Sequence, residues 1–165
     1  MRKYFEDYEV GQVFQFESPP LSKSDIIEFA SQWDPQRIHI DEDAAKAVHG
    51  SIIASGYHTL LISMRPVMAE LMAKTEIIGA AGFNELRWIK PVRPGDALST
   101  RVEVTNTKAS RTKPDRGVVT FNFTTTNQND EPVMTAEVPA MMQRRTTSST
   151  SSDLTSHPLS TKKAD

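Results

Sequence analysis

The sequence predicts an α+β fold in which one long, largely apolar helix is wrapped by a twisted antiparallel sheet. Three observations point there. An i, i+3, i+4, i+7 apolar pattern runs from about Ser55 to Lys74 and is the longest helical signal in the chain. From Phe83 onward the apolar period changes to two, as in strands with one buried face. The chain has 165 residues, a formal net charge of −2 and no cysteine. That is enough for one filled core, with no basic surplus for a phosphate backbone.

The elements follow in order. Val10 to Phe16 reads as a short strand, with Gly11 opening a turn. Ser22 is a helix N-cap, with Asp25 three positions on and Ile26, Ile27, Phe29 and Ala30 at helical spacing. Pro35 disfavours helical geometry at Asp34, so this helix ends near Trp33. Asp41 caps a short helix through Ala44, Ala45 and Lys46, which Gly50 ends. In the long helix Tyr57, Leu60, Leu61, Met64, Val67, Met68 and Leu71 form the stripe, widened by Ile62 and Ala69. A helix apolar around most of its girth is expected to be enclosed. It should be about 30 Å long, with a kink one turn before Pro66.

Beyond it, Phe83 to Lys90 places Leu86 and Trp88 on one face, and Pro94-Gly95 suits the centre of a type II turn. Leu98, Thr100, Val102 and Val104 alternate with polar residues, as do Val119, Phe121 and Phe123. Asn127 to Asp130 reads as a hairpin loop, and Val133 to Gln143 as a closing strand in which Pro139 marks an edge or a bulge. Residues 1–145 therefore form a single domain. Residues 146–165 hold five Thr and six Ser and almost nothing to build a core. They are expected to be a disordered tail.

Several function classes drop out. Without cysteine there is no disulfide, thiolate zinc site or cysteine nucleophile. No apolar run suggests a membrane span, and the acidic turn after Arg2-Lys3 is unlike a secretory leader, so a cytoplasmic protein with no nucleic-acid or membrane partner is expected. The serine-hydrolase elbow, the phosphate-binding loop and the dinucleotide fingerprint are absent. His39, Asp41 and Asp43 lack a fourth ligand at matching spacing, so no metal is expected. Lys90, Arg93, Arg111, Lys113 and Arg116 read mainly as solvated sheet-edge charges, some of them able to meet a phosphorylated ligand, and Met64, Met68 and Met72 as core filling. His49 and His58 show no partner.

Two stretches can carry chemistry. In Asp34-Pro35-Gln36-Arg37-Ile38-His39 a carboxylate sits where a helix is forced to end, and an imidazole follows five positions later. A tight turn there folds both toward one pocket. Taken alone the pair also fits a plainer reading, with Asp34 ending a helix and His39 packed between Ile38 and Ile40. Gly50 to Tyr57 delivers small residues to the start of the long helix. Free N–H groups and the positive end of the dipole favour a developing oxyanion there, although Ser55 as an ordinary cap explains the stretch equally well.

Phe29-Ala30, Asp34-Pro35, His39-Ile40-Asp41-Glu42, Ile53-Ala54-Ser55-Gly56, Phe83 to Trp88 and Lys90 to Asp96 together resemble the MaoC-like dehydratases over about residues 5–145. That family includes the (R)-specific enoyl-CoA hydratases. The resemblance implies a hot-dog fold and a homodimer with acyl-thioester sites near the subunit interface. It implies water addition to a 2-enoyl-CoA, or its removal from a 3-hydroxyacyl-CoA, with Asp34 and His39 as catalytic residues. Gly56 and Ser55 would lie at the substrate, with the Gly56 N–H under the thioester oxygen, and no metal or organic cofactor would be needed. The carrier is CoA or an acyl-carrier protein. The same fold also accommodates an acyl-CoA thioesterase or a non-catalytic acyl-thioester-binding subunit. Three positions depart from the common family pattern: Gln36-Arg37 replaces Asn-Pro, Ser55 replaces the histidine before the glycine, and Met64 stands where some members place a serine. Arg37 could face a polar acyl group.

Overall fold

The computed structural model describes residues 1–145; the expected disordered tail, residues 146–165, lies outside the described residues. After a single 3-10 turn at Phe5–Asp7 come β1 (Val13–Ser18), α1 (Lys23–Trp33), α2 (Arg37–Ile40), α3 (Glu42–His49) and α4 (Gly56–Glu70). A second 3-10 turn (Met72–Lys74) leads to β2 (Ile77–Ala80), β3 (Asn84–Trp88), β4 (Leu98–Ala109), β5 (Arg116–Thr126) and β6 (Pro132–Gln143).

All six strands join one antiparallel sheet in the order β1-β4-β5-β6-β2, with β3 also on β6. Leu98, Val102, Val104, Val119, Phe121 and Phe123 turn inward, all at 1% exposure or less. This is the predicted alternation, and α4 lies across that face.

Local chemistry sets most boundaries. Ser22 caps α1 in a capping box with Asp25. Asp41 accepts the Ala44 N–H at 3.0 Å to cap α3, and Gly50 ends that helix at φ +79°. Gly95, at φ +92°, takes the position of the Arg93–Asp96 turn that needs a left-handed residue. β1 starts later than expected because Val10 and Gly11 are spent in a turn closed by Gln12 N–H to Glu9 O, 3.1 Å. β2 was not foreseen. Pro139 marks neither a sheet edge nor a bulge in the β5–β6 pairing. It stands opposite Thr120, where β6 passes from β3, paired up to Glu137, to β2, paired from Ala140.

α4 corrects two expectations. It ends at Glu70, giving a helix of about 22 Å. It is also not enclosed all round: Thr59, Ser63, Met64 and Val67 are buried, whereas Tyr57, Leu61 and Met68 face outward. A sheet offers a helix only one face, and the outer apolar stripe is left uncovered. Pro66 stays within the helix. It has no N–H to give the Ile62 carbonyl, and Ser18 Oγ of β1 donates there instead at 2.9 Å. Ser18→Ala should therefore orphan that carbonyl and lower stability by about 1–3 kcal/mol. A denaturant titration would read it, and a loss under about 0.5 kcal/mol would show that the carbonyl has other relief.

Beside the distal half of α4, where it meets the sheet and residues 77–83, lies an apolar hollow of about 270 Å³, floored by Met64, Met72, Phe121 and Phe123 and rimmed by the exposed Met68 and Phe83. The methionine stripe thus borders a space rather than simply filling the core. His58 stacks on Phe29 with ring centroids 4.3 Å apart, tying α4 to α1.

Candidate active site

Pro35 ends α1 as predicted, and Asp34 becomes its C-cap at φ −156°, ψ 67°. The chain then reverses through Gln36 N–H to Asp34 O (2.7 Å) and His39 N–H to Gln36 O (2.9 Å). The single turn of α2 carries His39 inward, where it is 4% exposed. Its Nδ1 lies 2.8 Å from the Ile53 carbonyl. A carbonyl only accepts, so Nδ1 carries the proton and, in the neutral ring, Nε2 keeps its lone pair. That Nε2 stands 3.5 Å from Asp34 Oδ2. The acid and the imidazole are together.

Both side chains line one cavity of about 420 Å³, whose wall also includes Gln36, Gly56, Thr59, Trp88 and Lys90. Gly56 is the first residue of α4, so its N–H has no intrahelical partner. The loop leading there is pinned by Ala54 N–H to Val92 O, 2.8 Å. Arg93 Nη1 donates to His49 O (2.9 Å) and Ser51 Oγ (2.6 Å). Arg93 is thus a strut of the loop rather than a free charge.

Ser55 is placed differently from the expected substrate contact. It is fully buried and behind the cavity. Its Oγ accepts the Tyr57 N–H at 3.2 Å, capping α4, and donates to Asp34 Oδ2 at 2.6 Å. Gln36 Nε2 donates to the other carboxylate oxygen at 2.8 Å. Ser55 and then Gln36 hold the Asp34 carboxyl below its ordinary value near 3.8. Stability linked to a depressed carboxyl is present above the unfolded-state value and is lost as pH falls through the folded-state value. Ser55→Ala removes the stronger donor. Its stability should then fall less steeply than that of the wild type below about pH 4. Acid unfolding followed by circular dichroism tests this, and identical acid limbs would deny the hydroxyl its hold on Asp34.

Apart from Lys90, the other sequence candidates fall away from the cavity. Arg37, expected toward a polar acyl group, turns outward and pairs with Asp41 at 2.7 Å. Among the described residues no group of three or more His, Cys, Asp or Glu is placed to hold a metal, and His39, Asp41 and Asp43 do not converge. Lys90 reaches the wall with its ammonium on Glu131 at 2.5 Å. Arg111 and Arg116 border the β4–β5 hairpin. Trp88, expected only as one residue of a strand face, arrives from β3, 32 residues beyond Gly56, and donates Nε1–H to its carbonyl at 2.9 Å. No helix of the described residues is long and apolar enough to cross a membrane.

Comparison with known proteins gives a consistent result. Residues 6–127 match the model of the "MaoC like domain" family. The protein YdeM of Bacillus subtilis (strain 168) is 37% identical over 140 residues, covering 84% of this chain and 98% of its own. The crystal structure of a MaoC-like dehydratase from Rhodospirillum rubrum superposes with a TM-score of 0.78 at 36% identity, covering 87% of this chain and 98% of that one. A Mycobacterium tuberculosis protein with a double hotdog fold matches with a TM-score of 0.72 at 23% identity, covering 87% of this chain and 45% of that one. The fold is the hot-dog fold.

Proposed function

Because this chain belongs to the MaoC-like domain family, we propose that it is an acyl-thioester hydratase/dehydratase, a carbon–oxygen lyase of enoyl-CoA or enoyl-acyl-carrier-protein substrates. One observation carries the reading: Asp34 Oδ2 and His39 Nε2 face each other at 3.5 Å on the wall of a cavity that also exposes Gly56 at the start of α4. Hydration of a 2-enoyl thioester needs a base for water, a proton for the α-carbon and a place for enolate charge.

Each need has a group. A water between Asp34 and His39 donates one hydrogen bond to the carboxylate, which Ser55 and Gln36 keep ionised, and the other to Nε2. As its oxygen bonds to the β-carbon, Nε2 takes its proton and the carbon–carbon π pair moves toward the thioester oxygen. The Gly56 N–H receives that charge, helped by the helix dipole. The imidazolium then returns the proton to the α-carbon, so that the sum is addition of one water. In reverse the same groups remove it.

A second copy of the chain is the proposed partner. Tyr57, Leu61 and Met68 of α4, with Ile77, Ile78 and Phe83 beyond it, leave large apolar side chains uncovered, and such a surface marks an association site. The deciding assay presents wild-type protein with 2-enoyl-CoA thioesters of graded length and follows loss of the conjugated thioester's ultraviolet absorbance. Hydration without release of free CoA is expected. Free CoA appearing without prior hydration would make the protein a thioesterase, and binding without conversion a non-catalytic acyl-thioester-binding subunit.

A further inference from the structure

We propose that Trp88 is a positioning residue for the Gly56 N–H, an inference that rests on the hydratase reading in giving that N–H its catalytic meaning. Gly56 is where it is because an indole occupies the space of a side chain. A Cβ built on it would stand 2.6 Å from Trp88 Cε2 and 2.9 Å from Cδ2 and Nε1. The indole N–H completes the contact by donating to the Gly56 carbonyl at 2.9 Å. The ring also meets Tyr57 edge-on, with centroids 6.2 Å apart and planes at 80°.

The clamp is anchored on the sheet. Trp88 pairs with Met134 of β6, and the next residue, Ile89, donates its N–H to Val133 O at 2.8 Å. A register shift between Asn84 and Arg87, with Glu85 at φ +53°, interrupts the pleat just before it. Trp88 therefore joins the first turn of α4 to a central strand across the cavity wall.

This matters because helix ends fray, while an oxyanion donor is effective to the extent that it is oriented before charge develops. Loss of the clamp should reduce turnover more than ground-state binding. The ring also bounds the side from which a thioester can approach Gly56. It remains 48% exposed, an unusual place for a tryptophan whose only task is core packing.

Trp88→Phe keeps a ring over Gly56 and removes the N–H donor; Trp88→Leu removes both. The expected result on a 2-enoyl-CoA is a roughly tenfold fall in kcat for Trp88→Phe with KM within about threefold, and a larger fall for Trp88→Leu. A spectroscopic readout is independent of turnover. Ser55-Gly56 is the only Ser-Gly step in the chain, so carbonyl-13C serine with 15N glycine labelling gives one amide crosspeak, that of Gly56. In Trp88→Phe this crosspeak should shift and its hydrogen exchange accelerate. Its response to butyryl-CoA, a saturated thioester that cannot be hydrated, should shrink. An unchanged crosspeak and exchange rate together with unchanged kcat would overturn the proposal. If wild-type protein hydrates no enoyl thioester, the hydratase reading fails by itself, and the crosspeak still decides whether Trp88 sets the Gly56 amide.

Discussion

His39→Gln and Asp34→Asn should each lower kcat on the best enoyl thioester by about 10²–10⁴-fold, the range for a positioned acid–base group. Both replacements preserve shape. Glutamine at 39 still offers an N–H toward Ile53 O but has no ring nitrogen to take a proton. Asparagine at 34 keeps one carbonyl oxygen for the Ser55 hydroxyl, donated to Asp34 at 2.6 Å. Its NH2 then faces the Gln36 amide, which can turn its own oxygen inward. The folded state should tolerate the change, so thermal or denaturant midpoints near wild type would assign the lost rate to chemistry. Because the two groups grip one water, the double variant should be little worse than the poorer single one. Turnover within about threefold of wild type in both variants would remove the pair from the mechanism.

What could be read in advance depended on how far apart the interacting residues lie. The Ser22–Asp25 capping box, the Pro35 stop and the Gly95 turn are settled within a few residues, so spacing alone reveals them. The Asp34/His39 convergence belongs to the same class, because a single turn of helix separates the two. Ser55 is the instructive case. Its local role, capping α4, was legible, whereas its donation to Asp34 spans 21 residues and left no periodic trace. Trp88 on Gly56 is invisible for the same reason. β2 escaped because its four residues are exposed on both faces, so no alternation marks it. The outer stripe of α4 misled in the opposite direction. Apolar residues awaiting a partner surface have the same pattern as those in a core, and only the sheet's position separates the two.

Phe121→Ala should be the most damaging single change to the fold, costing about 3–5 kcal/mol against the roughly 5–15 kcal/mol that holds such a domain together. Phe121 is fully buried at the middle of β5, where it pairs with Val104 on β4 and Val138 on β6. Tyr8 meets its ring edge-on at 5.4 Å and 89°, and Phe123 lies beside it at 6.3 Å. Tyr8 itself is held by a 2.6 Å hydrogen bond to Thr75, so it cannot simply follow a shrinking neighbour inward. The other side of Phe121 already borders the 270 Å³ apolar hollow beside Met64, Met68 and Met72. Truncation would enlarge an existing space instead of opening one that close-packed neighbours could share. The methionines are the residues able to move into it, being unbranched and adaptable. Phe121→Met should accordingly recover more than half of the loss, and Phe121→Leu less. Urea midpoints converted with a common m-value would measure the series. A cost for Phe121→Ala under about 1.5 kcal/mol would mean that the helix settles onto the sheet and closes the hollow. In that event the distal end of α4 is not a fixed wall of a preformed apolar space.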